Sequence, residues 1–183
     1  MFFPKETVLA TLPVDAPVYQ NRYGLLRREL REATHHYTLW LETGNQLQAL
    51  YDENLRQENL QVPPSVKRAL LPLAAEITQN AHTPRQKAKA LEQWFHENFS
   101  YSLSVSATAR NVDPTVDFVL RRKAAWCSWH ASGMTLMLRS LGIPAHVVSG
   151  WRSMDYNLLA RQWVVREKEA HDWVEILDTE QQM

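Results

Sequence analysis

The apolar positions change period along the chain. From Ala33 to Thr43 the run ATHHYTLWLET alternates, with Tyr37, Leu39 and Leu41 on one face, and predicts a strand. The preceding RYGLLRRELRE fits helix and strand equally well. LQVPPS, Leu60 to Ser65, reads as an extended linker, because a residue before proline avoids the helical region. It divides a small β-rich N-terminal region, residues 1–60, from a main body, residues 61–183.

Past the linker the pattern turns helical. Val66, Leu70, Leu73, Ala74 and Ile77 recur at helical spacing, and Pro72 is expected to kink that helix or delay its start. TPRQKAKALEQWFHENF opens with Thr83 as N-cap, Pro84 in the first helical position and Gln86 to complete a capping box. Its buried stripe is Ala88, Leu91, Trp94 and Phe95. DPTVDFVLRRK repeats the arrangement with Asp113 and Pro114, and is expected to bury Val116, Val119 and Leu120. In AAWCSWHASGMTLMLRSLGIPAHVVSGW, residues Ala131, Met134, Met137, Leu138 and Leu141 share a helix face. Gly142 ends that helix and Pro144 prevents its continuation. Gly133 inside it costs about 1 kcal/mol against alanine, so close packing is expected there.

AHVVSGW, RQWVVRE and HDWVEIL then read as three short strands. In the last, His171, Trp173 and Glu175 lie on one face and Val174 and Ile176 on the other. Helices followed by strands predict an α+β fold with an antiparallel sheet.

The length of 183 residues suits one domain with a sizeable core, and 45% hydrophobic with 22% charged residues is ordinary globular composition. Twenty basic residues balance twenty acidic ones, which argues against a broad electrostatic footprint for nucleic acid. No run approaches the roughly 18 apolar residues of a membrane span. The start, MFFPKETVLA, lacks the basic segment and long apolar run of a signal peptide. One cysteine is compatible with either redox compartment.

That cysteine, Cys127, stands between two tryptophans at the start of a core helix. It is a packed small hydrophobe, a metal ligand or a nucleophile. A thiol at a helix N-terminus meets unpaired N–H groups and the positive end of the helix dipole, which favour the reactive thiolate and can stabilise an oxyanion. Such a thiol still needs a base, and His171, beginning a strand, is the best placed of seven histidines. Cys127 with His130 gives C-x-x-H, but zinc wants about four ligands, so no metal is expected. His35, His36 and His82 lie in polar surroundings and read as solvated, and His146 as a structural histidine heading an apolar strand. Met134 and Met137 are core stripe, and Asp113 is a helix cap.

The run DPTVDFVLRRKAAWCSWHASGMTLMLRSLGIPAHVVSGW, followed by AHDWVEI, resembles the bacterial transglutaminase-like domain, a branch of the papain-like cysteine enzymes. The family shows a small-aromatic-Cys start, an alanine one turn on, then LR-x-x-GIPA-x-V-x-G-aromatic and HAW-x-E. This chain supplies Cys127, Ala131, LRSLGIPAHVVSG from Leu138 to Gly150, and His171, Trp173 and Glu175. TPRQKAKALEQWFHENFSYSL is similar to the helix and aromatic-rich strand that precede them, so the likeness covers Leu60 to Leu177.

The resemblance implies that Cys127 is the nucleophile, His171 its base and acid, and Trp126 a wall of the acyl site, with no cofactor. The implied reaction is acyl transfer from a glutamine side chain or peptide carbonyl through a thioester, to an amine or to water. A protein or peptide is the implied partner. The implied setting is the cell envelope, outside the cytoplasm and as part of a membrane-anchored protein; the residues themselves show none of this. Two positions depart from the pattern. Ala125 stands where the family has glycine. The orienting aspartate is expected roughly fifteen residues beyond His171, past Met183, and neither Asp172 nor Asp178 is a convincing substitute. Either this sequence is a piece of a longer chain, leaving the core incomplete at its C-terminal end, or the residue has been lost. Loss would leave a binding or scaffold module with weak turnover.

Overall fold

The computed structural model describes residues 7–11, 19–20, 26–27, 38–41, 53–152, 155–159, 162–164 and 166–176. The chain divides into two units, Met1–Asp52 and Glu53–Met183.

The first unit contains two antiparallel pairings. Strand β1 (Thr7–Thr11) pairs with β4 (Thr38–Leu41), and β2 (Tyr19–Gln20) with β3 (Leu26–Arg27). The alternating run expected over Ala33 to Thr43 is a strand in Thr38–Leu41; its remainder, with His35 and His36, lies outside the described residues.

The second unit begins with a short helix α1 (Glu53–Glu58), then α2 (Pro64–Ile77), α3 (Pro84–Asn98), α4 (Pro114–Arg121) and α5 (Cys127–Ser140). α5 is the central helix, with α2, α3 and α4 on its flanks and the ladder of β5 (Ala145–Trp151) and β8 (Ala170–Ile176) against it. β5 and β8 pair antiparallel from Ala145↔Ile176 to Trp151↔Ala170. Between them a separate hairpin forms from β6 (Asp155–Asn157) and β7 (Gln162–Val164). The pairing expected among the C-terminal strands is therefore two two-stranded ladders.

Local chemistry explains most helix ends. The Thr83 hydroxyl accepts from Gln86 N at 3.1 Å while Gln86 Oε1 accepts from Thr83 N at 3.2 Å, the expected capping box. Asp113 accepts from Thr115 N and Val116 N at 2.9 and 3.1 Å. α5 ends in a Schellman turn. Gly142 has φ +79°, Ile143 N donates to Leu138 O and Gly142 N to Arg139 O, both at 3.0 Å. α4 ends the same way without glycine. Arg122 takes φ 50°, and Lys123 N donates to Phe118 O at 3.2 Å. A non-glycine residue there costs about 1 kcal/mol, so packing around this turn must offset it.

Two expectations change. Pro72 does not delay the start of α2, which begins at Pro64 and runs through it to Ile77. Val66 and Leu70 before it and Ala74 after it are all buried, and that shared packing offsets the lost hydrogen bond, roughly 3 kcal/mol. Leu120 is half exposed rather than buried. α4 instead buries four consecutive residues, Val116 to Val119. Phe118 fills the core, and Asp117 faces the loop before the helix.

The core is continuous across the helices and the ladder: Leu70, Leu91, Phe118, Val119, Met137 and Leu138 are fully buried, and Val174 and Ile176 pack against them. At Gly133 side chains of α3 and α4 pack directly against α5. A Cβ there would stand 2.9 Å from Val119 Cγ2, 3.1 Å from Phe95 Cζ and 3.3 Å from Phe118 Cε1. The close packing expected from a glycine inside a helix is present.

Candidate active site

Cys127 is the first residue of α5, preceded by Trp126 in extended backbone (φ −93°, ψ 176°). Cys127 is half-buried and not sealed in the core. The chain reaches it through a fixed approach. Ala125 N donates to Ser100 O at 3.2 Å and Ser102 N to Ala125 O at 3.0 Å, a parallel bridge between Tyr101 and Ala125. Ala125 is fully buried, so the methyl group in place of the family's glycine is accommodated.

One step earlier, Lys123 holds the approach from the other side. Its ammonium donates to Ala107 O at 2.7 Å, Ser106 O at 3.3 Å and Asp117 Oδ2 at 2.5 Å. Asp117 also accepts from Ala109 N at 3.3 Å and pairs with Arg121 Nε at 2.9 Å. The Lys123 hydrogen bond, opposed by desolvation and helped by Ala109 N and Arg121, holds the Asp117 carboxyl below the ordinary carboxylate range. This network fastens the 106–109 loop to α4 immediately before the cysteine.

Beneath the first turn of α5 lies an aromatic floor. His130 Nδ1 donates to Trp126 O at 2.9 Å. Its ring stands edge-on to Phe118, Phe99 and Phe95, with centroids at 5.3, 5.6 and 6.1 Å. The imidazole of the C-x-x-H pair thus braces the N-cap residue. Trp126, half-buried, meets Trp129 edge-on at 6.1 Å, and Trp129 leans on Phe118 at 5.7 Å. Among the described residues no three His, Cys, Asp or Glu side chains converge on a metal site.

His171 is the second residue of β8 and pairs with Gly150 of β5. A Cβ on Gly150 would meet Trp173 Cη2 at 2.8 Å, so the Trp173 ring lies over Gly150 on the His171 face. His146 Nε2 stands 3.4 Å from Glu175 Oε2 on that same face, the structural role expected of it. His82 is exposed. Asp178 lies outside the described residues.

Asp172 lies on the opposite face with Val174 and Ile176, which pack against the helical core. Its carboxylate Oδ2 accepts from the Ser128 hydroxyl. The residue after Cys127 is thereby bonded to the residue after His171, joining the first turn of α5 to the start of β8. Among the described residues no hydrogen bond joins Cys127 to His171 directly. Sequence reasoning missed Ser128, and it weighed Asp172 only as an orienting group. The two are 44 positions apart, and no local pattern connects them.

A model of the transglutaminase-like superfamily matches residues 72–182. Over 131 residues the chain is 35% identical to a protein-glutamine gamma-glutamyltransferase of Pseudomonas aeruginosa, a match covering 71% of this chain and 19% of that protein. The chain thus spans about a fifth of that relative's length. The crystal structure of the periplasmic domain of TgpA from Pseudomonas aeruginosa superposes with a TM-score of 0.64 at 25% identity, over 94% of this chain and 62% of that one. A candidate cysteine protease from Cytophaga hutchinsonii shares the fold with a TM-score of 0.55 at 18% identity, over 94% and 62% of the two chains.

Proposed function

The chain belongs to the transglutaminase-like superfamily, and from that premise we propose that Cys127 is the nucleophile, and His171 the base and acid, of an acyl transfer on protein glutamine or peptide carbonyls. His171 takes the thiol proton and the sulfur attacks the carbonyl carbon. In this reading the first-turn N–H groups of Cys127 and Ser128 donate to the oxyanion that forms. The imidazolium returns its proton to the departing ammonia or amine, leaving a thioester. An amine or water then attacks the thioester, gives a proton to His171 and releases the acyl group, which regenerates the thiol. Trp126, beside the sulfur in sequence and half-buried, forms part of the acyl-binding wall.

The single observation that carries this reading is the half-buried thiol at the first position of the central helix, whose first turn is bonded to the strand that bears His171. The Pseudomonas relative named as a protein-glutamine gamma-glutamyltransferase supports glutamine as the acyl donor. The likeness to a periplasmic domain supports an extracytoplasmic setting. Among the described residues no helix is long and apolar enough to cross a membrane.

The test is amine incorporation into a glutamine-rich acceptor protein, run beside ammonia release and peptide cleavage, for wild type, Cys127→Ala and His171→Ala. The reading expects at least one of the three activities in wild type and its loss in both variants. A folded wild type silent in all three assays would reassign the chain as a non-catalytic binding module.

A further inference from the structure

We propose that the Ser128–Asp172 hydrogen bond is a positioning clamp that sets the spacing between Cys127 and His171. The proposal rests on the reading of those two residues as the reacting pair.

Val174 and Ile176 of β8 pack against the helical core, and they lie two and four residues beyond Asp172 on its face. Nearer the start of β8 the ladder continues as Asp172↔Ser149, His171↔Gly150 and Ala170↔Trp151. Those bonds join β8 to β5. They do not themselves join this end of β8 to α5. Ser128 does so, because it belongs to the first turn of α5 and its hydroxyl reaches across to Asp172. The path from the Cys127 backbone to the His171 backbone then runs through Ser128 and Asp172, with one hydrogen bond between elements and otherwise only adjacent residues.

The chemistry of the pair suits this role. A carboxylate accepting from a hydroxyl makes a charge-assisted bond, about twice as strong as a neutral one, and this one is partly buried. The carboxylate also stands at the N-terminal end of α5, where the helix dipole favours negative charge. Acyl transfer needs the thiol and its base held within hydrogen-bond reach, and a misplacement of about 1 Å can cost 10²-fold in rate. Ser128 and Asp172 are positioning residues: neither touches the reacting atoms.

The experiment combines kinetics with hydrogen exchange on the full chain. Ser128→Ala and Asp172→Ala should each lower kcat by roughly 10- to 100-fold with KM nearly unchanged. Ser128→Thr, which keeps the hydroxyl, should restore most of kcat. The double variant should be no slower than the worse single variant, since both changes break one bond. Amide exchange at His171 and Asp172 should quicken in Ser128→Ala, while exchange at Val174 to Ile176 stays as in wild type. An active wild type whose kcat and exchange both survive Ser128→Ala overturns the clamp and leaves acyl transfer standing. Additive losses in the double variant, or losses confined to KM, overturn it as well. A wild type without Cys127-dependent turnover, but with faster exchange in Ser128→Ala, counts against acyl transfer and not against the tie between α5 and β8.

Discussion

Cys127 combines exposure with a rigid footing, and the two come from different neighbours. Ala125 is buried and bridged to Tyr101, and Trp126 O is held by the His130 ring, so the backbone leading to the thiol has little freedom. The residue itself is half-buried. Replacing its side chain by a methyl group therefore leaves the packing nearly intact. Cys127→Ala should keep the wild-type circular dichroism and thermal midpoint while turnover falls by roughly 10⁴-fold or more; a large drop in the midpoint would show that the thiol serves packing instead. Asp117 governs acid stability at the same scale. Its carboxyl is held low chiefly by the Lys123 hydrogen bond, so between its folded and unfolded pKa values the unfolded chain binds more protons. Its contribution is fully present above the unfolded value, about 3.9, and is lost as pH falls through the lower folded value. Asp117→Asn should lower the urea midpoint at neutral pH and flatten its dependence on pH in the acid range, leaving the neutral-to-alkaline dependence unchanged.

At the scale of elements, α5 shows what the sequence could and could not disclose. Its end at Gly142 and its apolar stripe were legible, because left-handed φ and a 3.6-residue period are local properties, and its start followed from that period although Trp126 makes no side-chain cap. The tight spot at Gly133 was legible too, as a glycine with no reason to be there unless something approached it. The burial of α4 was not. Periodicity assumes one buried face, but α4 is eight residues long and packed on two sides: by the core at Phe118 and by the loop that Lys123 gathers around Asp117. Leu120 projects between those sides into solvent. The candidate pair Cys127 and His171 was found from motif and helix position, whereas the Ser128–Asp172 bond was not, because contacts between distant segments leave no periodic trace. Gly133→Ala tests the packing. The added methyl gains about 1 kcal/mol of helix propensity and meets Val119, Phe95 and Phe118 at 2.9 to 3.3 Å. Overpacking of that kind costs about 1–3 kcal/mol. The three neighbours are themselves packed in the core, so the cost should win. The variant is expected to unfold at lower urea concentration than wild type, and a stabilised variant would show that the aromatic cluster can yield.

At the scale of the whole molecule, the main question is where the second unit begins. An extended linker at Leu60 to Ser65 suggested that the main body starts at residue 61. The structure gives Asn59 and its neighbours work inside the second unit. Asn59 is 2% exposed. Its carbonyl accepts from Ala145 N at 3.1 Å, at the point where β5 leaves the α5 turn. Its side-chain oxygen accepts from Arg139 Nη2 at 3.3 Å, while Arg139 Nη1 donates to Gln61 O at 3.0 Å and Nε to Ala145 O at 2.8 Å. Arg139 thus ties the end of α5, the start of β5 and the segment after α1 together. A chain starting at Gln61 leaves Ala145 N and one arm of Arg139 without these partners, and each lost bond is worth about 0.5–1.5 kcal/mol. We therefore expect residues 61–183 to be less stable than residues 53–183 by about 1–3 kcal/mol, read as a lower urea midpoint with little change in slope. Asn59→Ala in the full chain should reproduce only part of that difference, because its carbonyl remains to receive Ala145 N. Equal midpoints for the two fragments would place the start of the unit at residue 61 and reduce α1 and Asn59 to a connecting segment.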